Sequence, residues 1–204
     1  MSWARPIDPP RFTLVTRLAT ALGALVLLIL LGSSSTQAAD RMWMGFTDDP
    51  ELRFGEHRAA ELDLVAASRS TIVRTTVQWY LVAPIRPLMA TDPFDPAYNF
   101  ADLDEFARNA QARGLEVKLA LWGTPPWANG GQSAQYAPLD PTDFKNFAQA
   151  VAERYSGRHP GLPFVRFFGI WNESNLATFL RPQFGPGGAI VSPAIYARLA
   201  IAIA

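Results

Sequence analysis

The sequence predicts an α/β fold, a parallel sheet wound with helical crossovers, and three observations predict it. Strand-like and helix-like segments alternate strictly from Arg41 onward, through four strand–helix units. The helix-to-strand connections are short (Arg69-Ser70, Gly114 and residues 156–163), whereas the strand-to-helix connections are long (residues 48–56, 78–101, 123–139 and 174–191). The first strand-to-helix turn, Asp48-Asp49-Pro50, has nothing of the Gly-rich GxGxxG turn that opens a doubly wound nucleotide-binding sheet. Long connections gathered at one edge mark the carboxyl ends of the strands, the face on which a (β/α)8 barrel builds its site. The chain therefore reads as part of a TIM barrel, covering about the first four β/α units.

Each element has its own justification. Residues 42–46, Met-Trp-Met-Gly-Phe, are a short apolar run and read as the first strand. A helix over 57–68 places Leu62, Val65 and Ala66 on one face. Residues 71–77 are rich in β-branched side chains and form the second strand. In 102–113 the apolar groups Leu103, Phe106, Ala107 and Ala110 recur at helical spacing, and Gly114 ends the helix. Residues 115–121 are the third strand. The next helix is capped by Asp140, started by Pro141 and favoured by Asp143 at its positive end, with Phe144, Phe147, Val151 and Tyr155 on its buried face. Residues 164–170 make the fourth strand, and a last helix opens at Ser192-Pro193 and carries Ile195, Leu199 and Ile203.

Composition narrows the partners. The chain of 204 residues is 49% hydrophobic and 18% charged, which suits a packed core. Its amino terminus places Arg5, Arg11 and Arg17 before the uncharged apolar run 18–31, followed by small residues up to Ala38, the pattern of a signal peptide over residues 1–38. An uncleaved membrane anchor over 18–38 is the alternative; either way the domain, 39–204, works outside the cytoplasm. Setting aside the leader removes Arg5, Arg11, Arg17 and Asp8 and leaves a net charge of −2. Such a balance gives no field for nucleic acid and no basic patch for anionic lipid. There is no cysteine, hence no thiol nucleophile, and the two histidines, His57 and His159, are too few for a His-rich zinc site. No metal or cofactor is called for.

The chemistry gathers at the end of the fourth strand, in Phe168-Gly169-Ile170-Trp171-Asn172-Glu173. A carboxyl group immediately after a barrel strand faces the ligand cleft, and flanking aromatics would desolvate it into the range of a general acid. In register with it lie Arg74 within the second strand and the segment Trp122-Gly123-Thr124-Pro125-Pro126-Trp127-Ala128; Trp122 and Trp127 there, and Trp79 in the long connection after the second strand, are candidate substrate-binding aromatics.

Asn-Glu at the end of strand four, with an arginine in strand two and a Trp-rich loop after strand three, resembles the clan A glycoside hydrolases. These are retaining (β/α)8 enzymes that include cellulases, β-xylosidases and α-L-iduronidases. The resemblance spans residues 41–204. It implies hydrolysis of O-glycosidic bonds in a polysaccharide or oligosaccharide, with Glu173 as acid/base. It further implies that Asn172 contacts a sugar 2-hydroxyl, that Arg74 holds the nucleophilic carboxylate, and that Trp127 stacks on a pyranose ring.

Plainer readings stand beside these. Glu173 can be a solvated helix-capping acid, Arg74 an interior ion pair, Trp122 and Trp171 packing groups, and Trp127 a loop anchor. The barrel of that clan carries its nucleophile on strand seven, and a complete barrel needs eight units and about 250 residues. The chain is thus expected to be an amino-terminal half, truncated in its fourth crossover helix and inactive alone. An inverting partner among Asp48, Asp49 and Glu56 is the less favoured arrangement. A non-catalytic exported carbohydrate-binding or surface protein, derived from such a barrel, is the alternative function.

Overall fold

A computed structural model describes residues 42–204; the leader and anchor readings fall outside these. Strand β1 (Gly45–Phe46) is followed by α1 (Asp49–Leu52) and α2 (Arg58–Ala67), then β2 (Ile72–Gln78), α3 (Trp79–Val82) and α4 (Ala101–Gln111). Strand β3 (Glu116–Trp122) leads to α5 (Pro126–Asn129) and α6 (Pro141–Arg154), and β4 (Phe167–Ile170) leads to α7 (Ser192–Ile203). All three strand pairs are parallel and the sheet order is β1-β2-β3-β4. A sheet whose order follows the chain, with right-handed crossovers, keeps its helices on one face. A doubly wound sheet would have to reverse direction. The fold is thus an α/β arrangement of four barrel-type units, as the sequence predicts. Among the described residues no helix is long and apolar enough to cross a membrane.

The two faces of the sheet are legible from alternation. Val73, Thr75 and Val77 of β2 are wholly buried toward the helices, with Val117, Leu119 and Leu121 beside them on β3. Leu103, Phe106, Ala107 and Ala110 of α4, and Phe144, Phe147 and Val151 of α6, complete this core. Each large side chain buried there contributes about 1.5–3 kcal/mol. The opposite face is concave. It presents Ile72, Arg74, Thr76 and Gln78 of β2 in register with Glu116, Lys118, Ala120 and Trp122 of β3. The curl is real: Trp43, just before β1, meets Phe167 of β4 edge-on at 5.2 Å across two intervening strands. Adjacent strands lie about 4.8 Å apart, so a flat sheet would hold these rings' backbones roughly 14 Å from one another.

The element ends follow their predicted signals. Asp140 caps α6 by accepting from the Thr142 N–H at 2.8 Å, with Pro141 in the first turn. Gly114, at φ 74, closes α4 into β3. Strand β1 is shorter than predicted, starting at Gly45 rather than 42, and two further differences stand out. Strand β4 starts at Phe167 rather than 164, because Phe164 bridges back to Ser156 and the Val165 N–H donates to the Tyr155 carbonyl. The long strand-to-helix connections hold short helices of their own (α1, α3 and α5), which the sequence reading leaves as loop.

Polar groups brace the helix layer. Asp104, 5% exposed, accepts from Arg154 Nε and Nη2 at 3.0 and 2.6 Å and from the Tyr155 hydroxyl at 3.0 Å. Burial, reinforced by Asp104, pushes the Tyr155 hydroxyl pKa up, so it remains a donor. Arg53, 4% exposed, reaches Asp102, Thr75 Oγ1 and the Thr76 carbonyl, stitching α1 to β2 and α4. In the loop after β2, Asp95 accepts from the Met89 and Ala97 N–H groups, which hold its carboxyl below the usual range. A lowered folded-state pKa contributes stability above about pH 4 that disappears as pH falls through the folded value. Hydrogen exchange at Met89 and Ala97 should therefore accelerate sharply below pH 4, beyond its intrinsic pH trend, and Asp95→Asn should remove that dependence.

Candidate active site

The carboxyl end of β4 continues its ladder for one residue, the Trp171 N–H donating to Leu121 at 2.8 Å, and then turns abruptly. Trp171 and Glu173 take left-handed backbone conformations, φ 63 and 35. Non-glycine residues adopt these rarely, and such strain concentrates at functional turns. The turn is held by its aromatics. Trp171, 4% exposed, packs edge-on against Phe144 of α6, and its indole N–H donates to the Phe179 carbonyl at 2.9 Å. The Trp122 indole at the end of β3 donates to the same carbonyl at 2.8 Å. One oxygen thus ties together the ends of two strands and the loop beyond Glu173.

Arg74 reaches this turn from below. Its Nη2 donates to Asn172 Oδ1 at 2.6 Å and its Nη1 to Thr47 Oγ1 at 3.3 Å, so one guanidinium joins the ends of β1 and β4 over the concave face. With Oδ1 engaged, the Asn172 amide is left with Nδ2 as a donor. Asn172 is half-buried and Glu173 exposed, its carboxylate making no hydrogen bond among the described residues. The structure therefore brings Arg74 to Asn172, the chain neighbour of Glu173, and ties Trp122 to the same turn through the Phe179 carbonyl. It does not build the aromatic enclosure expected around the Glu173 carboxyl.

The other two tryptophans sit elsewhere. Trp79 is wholly buried, stacked on Phe147 at 5.2 Å and 15° between planes. The expectation that Trp79 faces a sugar is corrected: the short helix α3 turns its ring into the core. Trp127 donates its indole N–H to the Ala83 carbonyl at 2.8 Å, and the Arg86 guanidinium lies over its ring at 4.4 Å. Arg86 is itself fixed by two bonds to Asp143, at 2.7 and 3.1 Å. This is the geometry of a loop anchor, with one ring face already occupied.

The acids after β1 are also committed. Asp48 caps α1 through the Glu51 N–H at 3.3 Å. Asp49 accepts from Thr75 Oγ1 at 2.6 Å and the Thr76 N–H at 3.0 Å. Glu56 is exposed in the turn before α2. The first two hold structure, which removes them as partners for Glu173.

Sequence reasoning places Phe179 among the aromatics of the long connections without foreseeing its carbonyl as the shared acceptor, and it misses Thr47 and Lys118. The last had a signal: a charge at 118, sharing the parity of Trp122 within an apolar strand, belongs to the concave face. Gly123 at φ 85 turns the chain after β3, and a β-carbon there would lie 2.8 Å from Tyr80 Cδ1. Gly123→Ala should displace the Tyr80 ring from Trp122, now 6.1 Å away, and quench or shift Trp122 fluorescence; an unchanged spectrum would show the loop adapting freely.

No family model and no curated protein matches the chain. Among solved structures it is similar to a family 39 glycoside hydrolase from the gut symbiont Bacteroides cellulosilyticus WH2, with TM-score 0.47 and 15% identity over 78% of this chain and 28% of that one. It is similar to the β-glucosidase of Trichoderma harzianum, with TM-score 0.47 and 20% identity over 72% of this chain and 31% of that one. A glucosidase from Croceicoccus marinus gives TM-score 0.47 and 16% identity over 70% and 30%. The likeness is one of fold alone. The chain spans less than a third of the length of these three proteins.

Proposed function

We propose that this chain carries the acid/base half of a retaining glycoside hydrolase barrel, which hydrolyses O-glycosidic bonds in polysaccharide or oligosaccharide. The hydrogen bond from Arg74 Nη2 to Asn172 Oδ1 carries the reading, because it gathers an interior cation and an oriented amide beside a strand-end carboxyl. Glu173, protonated, gives its proton to the glycosidic oxygen as the C–O bond breaks and a carboxylate on another strand attacks the anomeric carbon. The resulting Glu173 carboxylate then takes a proton from the water that displaces the sugar from the nucleophile. Asn172 Nδ2 donates to the sugar 2-hydroxyl oxygen, a bond that strengthens as positive charge builds on the ring. The Arg74 guanidinium both orients that amide and stands ready for the nucleophile's negative charge. Nothing in this sequence of steps calls for a metal or organic cofactor.

The retaining mechanism needs two carboxyl groups about 5–5.5 Å apart. Asp48 and Asp49 are engaged elsewhere and Glu56 is exposed in the turn before α2, so in this reading the second carboxyl is the one that the clan's barrel carries on strand seven. With residues 1–38 read as a leader, or 18–38 as an anchor, the proposed work lies outside the cytoplasm. Purified alone, the 204-residue chain is expected to bind saccharide without turning over aryl glycosides. Hydrolysis at ordinary enzyme rates, roughly 1–10³ s⁻¹, would reveal a second carboxyl in this chain and overturn the half-site assignment. Failure of Asn172→Ala to weaken saccharide binding would overturn the site itself.

A further inference from the structure

The turn that carries Glu173 is gripped on its far side by one side chain. The Leu176 N–H donates to the Glu173 carbonyl at 2.9 Å, which fixes the peptide group leaving the acid. The next carbonyl, that of Ser174, accepts from Gln183 Nε2 at 3.0 Å. The same nitrogen donates to the Leu180 carbonyl at 2.7 Å, and Gln183 Oε1 accepts from Ser192 Oγ at 2.9 Å. Both amide hydrogens and the amide oxygen of Gln183 are therefore engaged, which sets the plane and the direction of the group. Its backbone is held as well, the Val191 N–H donating to the Gln183 carbonyl at 3.0 Å.

Two of the three amide partners are anchored in the packed part of the domain. Leu180 is wholly buried, and Ser192, 5% exposed, opens α7. Ser174 is the third, and it follows a backbone that is left-handed at Trp171 and Glu173. Such a turn persists only where its surroundings over-determine it. A general acid must also be held within about 0.5 Å of its productive place. We infer that Gln183 is the positioning residue of this turn: its amide ties the backbone after Glu173 to Leu180 and the start of α7, and so aims the carboxyl at the glycosidic oxygen. This rests on the acid/base reading above and adds the group that holds the acid in place.

Gln183→Met keeps the length of the side chain and removes its donors. In the 204-residue chain, hydrogen exchange at the Leu176 amide should then rise about tenfold, while exchange at Val117 and Leu119 of β3 stays as in the parent. Ser192→Ala removes only the hydroxyl that orients the amide and should raise Leu176 exchange by about threefold; it carries the same test should Gln183→Met fail to fold. In the barrel completed by its nucleophile, Gln183→Met should lower kcat for alkyl glycosides about tenfold at unchanged KM, and should cost nothing further in a Glu173→Gln background. Unchanged exchange at Leu176, or a rise shared by β3, overturns the inference, the second by showing that Gln183 supports the fold as a whole. A tenfold loss that persists without the Glu173 carboxyl overturns it too and leaves the acid/base reading intact. That reading fails separately, taking the inference with it, if Glu173→Gln alone slows good and poor leaving groups equally.

Discussion

Glu173→Gln, in the barrel completed by its nucleophile, is expected to slow hydrolysis of alkyl glycosides by about 10²–10⁴-fold. Nitrophenyl glycosides should suffer far less in the bond-breaking step, because a nitrophenolate leaves without a proton. Glutamine keeps the shape of the side chain and removes only the proton transfer, so the contrast between leaving groups isolates that role. The second step should slow as well, since no carboxylate remains to activate water. Azide attacks without surrendering a proton; it should restore turnover and yield a glycosyl azide with retained configuration. Equal losses for good and poor leaving groups, with no azide rescue, would remove Glu173 from the acid/base role and leave the exposed carboxylate as a solvated turn residue.

Arg154→Leu is expected to destabilise the chain by about 3–5 kcal/mol, the range for stripping one partner from a buried ion pair. The arginine's side chain is 14% exposed and supplies two of the close bonds to Asp104. Without it, Asp104 keeps only the Tyr155 hydroxyl at 3.0 Å and Arg108 at 3.6 Å. Urea unfolding should show the loss as a lower midpoint at an unchanged slope. The double change Arg154→Leu with Asp104→Leu should recover much of it, because no charge is then left stranded. A double variant as unstable as the single one would mean that the cost lies in packing: the Arg154 guanidinium also sits 4.8 Å from the Phe100 ring centroid.

Periodicity made most of the fold legible. The α4 stripe of Leu103, Phe106, Ala107 and Ala110 and the α6 stripe of Phe144, Phe147 and Val151 are all buried where their spacing places them. Local rules are strong there because a single face of each helix meets the sheet. They weaken where a contact depends on distant chain. Trp79 and Trp127 both looked like cleft aromatics, yet indole surface is as readily buried by Phe147 or covered by Arg86 as by a sugar, and sequence alone does not say which. Glu173 and Arg74 were visible as a strand-end acid and a strand-borne base. That Arg74 bonds Asn172, the chain neighbour of Glu173, emerges only from the fold, which brings positions 98 residues apart within 2.6 Å. Lys118 was overlooked because a lone lysine in a strand is ordinarily a solvated edge charge, and only register assigns it to the concave face.

The left-handed backbone at Glu173 also bears on how this position can change. An L side chain in that conformation costs roughly 1 kcal/mol that glycine would not incur. Glycine at 173 would therefore relax the turn while deleting its carboxyl. A laboratory selection for thermostability alone, blind to turnover, should drift toward this replacement; a selection that also demands sugar cleavage should hold glutamate there against the thermodynamic pull.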